Sequence, residues 1–253
     1  MHFFYKFTYF RIFISIFRYI FFNLLGRFKT YYDKEAKNNE DLISYDSGKT
    51  AITHNLVYRN LPKQFNKAQI KKKLLQFAGK KSELLIYPLK AIDFVNYDKF
   101  KVLSIGPRTE AELMTIRSMG FKWKNIKAVD LHTYSNLIHL GDMHKLEFPD
   151  NSFDLIISGW TLRYSNNIKK ALSEILRVCK PGGLVSIGFT YPKKNEESPE
   201  SKTNKTDENI LYSTNQLKEF FRENIRHIYF EFDAFRDNPN ISRASIIILR
   251  IKK

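Results

Sequence analysis

Lys101-Val-Leu-Ser-Ile-Gly106, Ile126-Lys-Ala-Val-Asp130, Ile138-His-Leu-Gly-Asp142, Phe153-Asp-Leu-Ile-Ile-Ser158 and Leu184-Val-Ser-Ile-Gly-Phe189 are five short apolar runs within ninety residues. Runs of that length, alternating with helical segments, read as a parallel sheet with helices on both faces. Ligands of such sheets sit beyond the carboxyl ends of the strands. Gly106, Asp130, Asp142 and Ser158 all fall at those ends. One pocket would therefore collect them.

The same stretch carries two longer motifs. One is Gly141-Asp-Met-His-Lys-Leu-Glu-Phe-Pro-Asp-Asn-Ser-Phe-Asp-Leu-Ile156, and the other is Glu174-Ile-Leu-Arg-Val-Cys-Lys-Pro-Gly-Gly183. With their spacing they resemble the class I S-adenosylmethionine-dependent methyltransferases, in particular the small-molecule type related to quinone biosynthesis. The resemblance covers residues 99–190 well and the tail from about 210 loosely. It implies an α/β, doubly wound, seven-stranded, mostly parallel Rossmann-like sheet, here with an amino-terminal helical extension. It also implies S-adenosyl-L-methionine as cofactor and methyl transfer as the activity. The resulting division is a basic aromatic segment at 1–32, a helical extension at 33–98 and a methyltransferase-like domain at 99–253.

The resemblance implies roles for individual residues. Asp130 accepts both ribose hydroxyls, which suits a carboxylate because it takes two donors at once. Asp142 accepts from the adenine amino group, Met143 offers the neighbouring backbone N–H, and Leu131 packs on the adenine face. Asp154 starts its strand at the opposite end of the sheet and reads as structural. Pro181-Gly182-Gly183 reads as a turn, with Pro stopping the preceding helix and Gly supplying positive φ.

The first loop departs from the family pattern of an acid followed by three spaced glycines. The frame here is Ser104-Ile-Gly106-Pro107-Arg108-Thr-Glu110. Thr109 and Glu112 have the spacing of a capping box for the next helix. Two outcomes are open. Arg108 grips the cofactor carboxylate and Glu110 its ammonium, or their bulk fills the space that glycines keep open.

Acceptor-side candidates follow the fourth and fifth runs: Trp160, Arg163, Tyr164 and Tyr191. His132 and His144 are candidate bases. No His/Cys cluster has metal-ligand spacing, so no metal is expected. The single cysteine, Cys179, excludes an internal disulfide, fits a reducing cytoplasm and reads as packing.

The net charge of +16 points to an anionic partner or to a Lys-rich proteome, and the sequence leaves both open. Residues 1–32 hold Lys6, Arg11, Arg18, Arg27 and Lys29 and no acid, in a stretch crowded with Phe and Tyr. Thr8, Arg11, Ser15 and Arg18 recur at helical spacing as one narrow polar stripe. Arg18 interrupts the apolar run, and no small-residue cleavage site follows, so neither a full span nor a removable signal is expected. A basic, aromatic helix lying in an anionic membrane surface is one reading; a helix packed on the domain or on a second subunit of a homodimer is the other. Ala68–Phe77 has a helical apolar pattern, and 192–209 reads as a mobile loop.

The expected function is methyl transfer to a small or membrane-linked acceptor, such as a cell-envelope glycan or lipid intermediate. The expected location is cytoplasmic, peripheral on the inner face of the cytoplasmic membrane. The alternatives are a non-catalytic binding or scaffold protein that keeps the fold without the cofactor, and an RNA methyltransferase. The last is opposed by the missing Asp/Asn-Pro-Pro-aromatic motif and Cys pair, and no specific nucleic acid is expected as a partner.

Overall fold

The computed structural model describes residues 2–36, 43–44, 82–107, 110–133, 135–190, 210–233 and 244–253. Seven strands form one sheet in the order β5-β3-β2-β6-β7-β9-β8. They are β2 (Val102–Ile105), β3 (Ile126–Asp130), β5 (His139–Leu140), β6 (Phe153–Gly159), β7 (Cys179–Thr190), β8 (Ile225–Phe232) and β9 (Ala244–Ile251). Pairing is parallel from β5 across to β7, and β9 runs antiparallel to both its neighbours. A separate two-stranded ribbon joins β1 (Ile43–Ser44) to β4 (His132–Thr133).

Alternate side chains of each central strand enter different cores. Leu103, Ile105, Ile156, Val185 and Ile187 face α4 (Ile168–Val178) and α5 (Thr214–Phe221), which contribute Leu172, Ile175, Leu217 and Phe221. Val102, Leu155, Ile157 and Leu184 pack with Leu113 and Ile116 of α3 (Glu110–Ser118) and with Leu85 and Ile86 of α2 (Glu83–Ile86). Burial on both faces is why these strands read as continuous apolar runs rather than alternating ones. Leu85, Ile86 and Leu89 are fully buried, so the end of the 33–98 extension is part of the sheet's cover. Ala68–Phe77 and 192–209 lie outside the described residues.

The sheet order reverses direction between β2 and β6, and their diverging carboxyl ends make the crevice that positions a ligand in this architecture. Asp154 sits at the other edge, as expected. It accepts from Lys101 N at 2.8 Å and pairs with Lys180 Nζ at 2.8 Å. Pro181–Gly183 forms a bulge inside β7: Phe153 pairs with Cys179, and pairing resumes at Leu155 with Leu184. Gly182 has φ +75°, which supplies the expected positive φ. Cys179 is buried, and desolvation pushes its thiol up to about 12, in keeping with packing.

The amino-terminal helix α1 (His2–Ala36) lies against α3. Its contact side carries Arg18, Phe22 and Asn23. Phe22 meets Trp123 edge-on at 5.9 Å, the Arg117 guanidinium stacks over Phe22 at 5.0 Å, and Tyr87 donates to Asn23 Oδ1 at 3.0 Å. Arg18 therefore turns toward the domain beside Gly120, while also donating to Ser15 Oγ at 3.1 Å. The side chains of Lys6, Thr8, Arg27 and Lys29 lie outside the described residues.

One polar cluster fastens α4 to the segment that follows β5. Arg177 donates to the carbonyls of Leu146 and Phe148, each at 2.8 Å, and binds Glu174 through two nitrogens. Glu174 in turn accepts from Leu146 N at 2.8 Å. The bonds from Arg177 outweigh burial and hold the Glu174 carboxyl below its ordinary value. Arg177→Met leaves Glu174 buried without its partner and should lower unfolding free energy by about 2–4 kcal/mol in urea denaturation. The sign follows from linkage. A depressed carboxyl stabilises fully above its unfolded value of 4.5 and loses that contribution as pH falls through its folded value. The variant should lose that part of the acid-side decline, and an unchanged pH profile would contradict the assignment.

Candidate functional site

β2 ends at Ile105, and the chain turns at Gly106 with φ +65°. Gly106 N donates to Val129 O at 2.8 Å, which draws the turn toward the end of β3. A Cβ at Gly106 would stand 2.3 Å from Thr161 Oγ1 and Cγ2, so both the dihedral and the contact require glycine. Thr161 Oγ1 lies 3.0 Å from Ile105 O and 3.2 Å from both Gly106 O and Gly159 O. It therefore stitches the end of β2 to the end of β6. Sequence reasoning missed Thr161, because nothing in its neighbourhood signals a contact 55 residues away.

A cleft opens above this stitch. It is lined by Ile105, Gly106, Asp130, Leu131, Gly141, Met143 and Tyr164. Asp130 is 7% exposed at the end of β3. Gly141 N donates to Asp130 O at 3.0 Å, and a Cβ at Gly141 would meet Val129 at 2.6 Å, so β5 approaches β3 closely here. Met143 and Leu131 are buried and present apolar surface beside the carboxylate.

Asp142 is clamped. Its Oδ1 accepts from His144 N at 2.8 Å and from the His144 ring Nδ1 at 2.6 Å, and His144 Nε2 reaches Ser165 Oγ at 2.7 Å. An ionised Asp142 makes Nδ1 the protonated nitrogen, and Nε2 then accepts from the Ser165 hydroxyl. Burial acts to raise the Asp142 pKa, but the His144 bonds outweigh it and hold it below the ordinary value. His144 thus orients the carboxylate and ties it to the turn before α4. Ser165 is fully buried, so this Asp–His–Ser chain offers no exposed nucleophile.

The other sequence-predicted residues divide. Pro107 is buried at the loop. Ser158 is fully buried, with Oγ unpartnered among the described residues. Glu110 is buried, and its carboxylate accepts from Ser135 Oγ in the loop after β4. Glu112 accepts from Ser104 Oγ at 2.6 Å, and its expected capping partner Thr109 lies outside the described residues. Trp160 is buried with φ +58°, and its ring packs over Gly188 in the core. Arg163 is half-buried, its guanidinium 5.4 Å from the Tyr164 ring centre. Arg108, Thr109, Tyr191 and the His132 side chain lie outside the described residues.

These features fit an adenosyl group: a glycine turn that Cβ would block, a buried carboxylate at the end of β3, a half-buried one just after β5, and apolar side chains beside them. Residues 113–187 match the family described as "Methyltransferase domain". A demethylmenaquinone methyltransferase of Renibacterium salmoninarum is 53% identical over 53 residues, 21% of this chain and 22% of that protein. A ubiquinone/menaquinone biosynthesis C-methyltransferase of Pseudomonas aeruginosa is 34% identical over 93 residues, 36% of each chain. The chain thus matches about a fifth to a third of these relatives' length. Among solved structures, one chain of the complex between the Haloferax volcanii Trm112 methyltransferase activator and a putative methyltransferase has TM-score 0.50 at 16% identity, covering 68% of this chain and 91% of that one. A putative sarcosine dimethylglycine methyltransferase from Galdieria sulphuraria also scores 0.50, at 15% identity, covering 67% and 84%. At such identity the structures establish the fold. Residues 113–187 thus match a methyltransferase domain, and the chain is similar in sequence over part of its length to the quinone-biosynthesis methyltransferases.

Gly106→Ala adds a methyl group that meets Thr161 and forces a left-handed alanine. It should cost about 2–4 kcal/mol of stability. Gly182→Ala is the control. Its φ is +75°, but the nearest atom to an added Cβ is Arg250 Nη2 at 3.7 Å, so it should cost only about 1 kcal/mol. Equal losses in denaturant titrations would remove the Thr161 contact as the reason for the glycine.

Proposed function

We propose that this protein transfers a methyl group from S-adenosylmethionine to a small, apolar or membrane-linked acceptor while its amino-terminal helix lies in a membrane surface. The observation that carries the catalytic part is the cleft at the strand ends, lined by Asp130 and by Gly141 and Met143, the two neighbours of the clamped Asp142. The cofactor, when bound, supplies a methyl already activated on a sulfonium. The protein's share is alignment and exclusion of water. Asp130 receives the ribose hydroxyls. Asp142 receives the adenine amino group on the oxygen that His144 leaves available. Leu131 and Met143 sandwich the base. Tyr164 and Arg163, on the β6 side, meet the acceptor. Similarity to quinone C-methyltransferases supports an aromatic ring carbon as the methylated atom, with a glycan or lipid intermediate as the second acceptor class.

The membrane part rests on α1. Every side chain from Tyr9 to Phe17 is exposed, including Tyr9 at 69%, Phe13 at 66% and Phe17 at 60%. The window Tyr9–Gly26 has mean hydropathy 1.3 and is long enough to cross a bilayer by length and composition. Its Arg18–Asn23 side is occupied by the domain, which favours a helix lying at the interface over one surrounded by lipid. No acid occurs before Asp33, so an anionic lipid surface complements the helix, whereas a second copy would oppose like charges. The basic helix and the single free cysteine support a location on the cytoplasmic face, where anionic lipid and reduced thiols coincide.

Two tests follow. Purified full-length protein with S-adenosylmethionine labelled in the methyl group should transfer label to a demethylated quinone, and Asp130→Ala should weaken cofactor binding by about 1.5–3 kcal/mol. Unimpaired binding in that variant would contradict the ribose role. A wild-type protein that binds no cofactor would favour the non-catalytic reading, which the departure at Arg108 and Glu110 supports. Separately, the full chain should sediment with phosphatidylglycerol-containing vesicles. Phe13→Asp with Phe17→Asp should release it, since each buried phenyl contributes about 1.5–3 kcal/mol. Indifference to vesicles, together with a stable soluble dimer, would assign α1 to subunit contact instead.

A further inference from the structure

We propose that Glu112 receives the positively charged amino group at the amino-acid end of the bound cofactor, replacing the strand-end acid that Ser104 lacks. The inference rests on the cofactor reading above and concerns which side chain of this chain completes the site.

The geometry begins at Ser104. It is fully buried in β2, on the face covered by α3, and its Oγ donates to Glu112 Oε1 at 2.6 Å. A serine is too short to carry a carboxylate to the strand end. The bond shows where a carboxylate stands instead, delivered from the third residue of α3. Glu112 Oε2 accepts no hydrogen bond among the described residues, although Glu112 is only 7% exposed. That oxygen lies 3.2 Å from where a Cβ at Gly159 would be, so the bare strand end of β6 is what admits it. Gly159 and Gly106 are the two strand-end residues that Thr161 joins. An acceptor oxygen with no donor among the described residues therefore sits beside the end of β6.

Glu110, the acid first expected in this role, is directed elsewhere: its carboxylate bonds Ser135. The sequence grammar that made Glu112 a capping partner gave no reason to look for it here. Its contact with Ser104 crosses from helix to strand and follows no helical spacing.

The charge environment gives the idea a second observable. Burial raises the Glu112 pKa most, the Ser104 bond lowers it, and Asp130 raises it again, for a value of about 7. Among the described residues, the groups facing it are Ser104 from β2 and Asp130 from β3. Gly159 of β6 brings no charge, and Glu110 on its own helix faces Ser135. An ammonium ion binds only the ionised form. Ligand binding near neutral pH must then expel a proton from the fraction of molecules in which Glu112 is protonated. Affinity should rise with pH through about 7 and level off above it.

The test compares two probes on the full-length protein by calorimetry. S-adenosylhomocysteine carries the amino-acid end, and 5′-methylthioadenosine lacks it. From about pH 6 to about pH 8, wild-type affinity for S-adenosylhomocysteine should rise several-fold, with proton release measured in two buffers of different ionisation heat. Methylthioadenosine should show neither effect. Glu112→Gln should weaken S-adenosylhomocysteine at least about tenfold at pH 8, abolish the proton release and leave methylthioadenosine unchanged. Moving the acid back to the strand, Ser104→Asp with Glu112→Gln, should recover most of the lost affinity. The wild-type proton release needs no variant, so the idea stays testable if Glu112→Gln folds poorly. Equal weakening of both probes would make Glu112 a support of the fold and overturn the inference. So would S-adenosylhomocysteine binding with no proton release near pH 7. Binding of neither probe by the wild type would instead defeat the cofactor reading itself.

Discussion

The hydroxyl of Thr161 holds together the two strand ends on which the site is built. It has one proton and three carbonyl oxygens within reach, at Ile105, Gly106 and Gly159. It lies just beyond the last paired residues of β2 and β6, Ile105 and Ser158, where the sheet order reverses. With it, Gly106 is fixed in a left-handed turn, its N–H is directed to Val129, and the crevice opens toward Asp130. The requirement for glycine at 106 follows from this contact as much as from φ.

Two further clamps position what stands above that crevice. His144 binds Asp142 through ring and backbone and reaches Ser165, so the acid after β5 is tied to the turn that follows β6. Arg177 and Glu174 fasten the next residues, Leu146 to Asp150, to α4. Charge-assisted hydrogen bonds of this kind fix geometry more firmly than apolar contact does. The shared logic is that short strand-end segments, which lack their own ladder bonds, are held by side chains from the neighbouring layer.

Much of this was legible in the sequence, for a physical reason. Parallel strands covered on both faces must be apolar along their length, so five runs announced five strands, and the acid ending the second run announced the end of the sheet where the cleft lies. Asp154 was correctly set apart because it begins its strand rather than ending it. What was not legible depended on contacts between layers. Glu112 obeys helix-capping spacing, yet its carboxylate goes to Ser104 across the helix–sheet interface. Trp160 follows β6 like an acceptor contact, but the absence of a side chain at Gly188 lets its ring sink into the core. Arg18 completes a polar stripe on α1, yet that stripe's lower end docks on the domain beside Gly120. A periodic pattern reveals that a helix has a distinct face; it does not reveal which face the rest of the chain will cover.

The central claim is that this atypical first loop, with one glycine kept and an acid supplied from α3, still forms an adenosyl site at the strand ends. A crystal structure of the full chain grown with S-adenosylhomocysteine tests it most directly. The account predicts the nucleoside in the cleft between Gly106 and Met143, with both ribose hydroxyls on Asp130 and the base between Leu131 and Met143. A ligand bound at another place, or a cleft between Gly106 and Met143 that stays empty at saturating ligand, would contradict it.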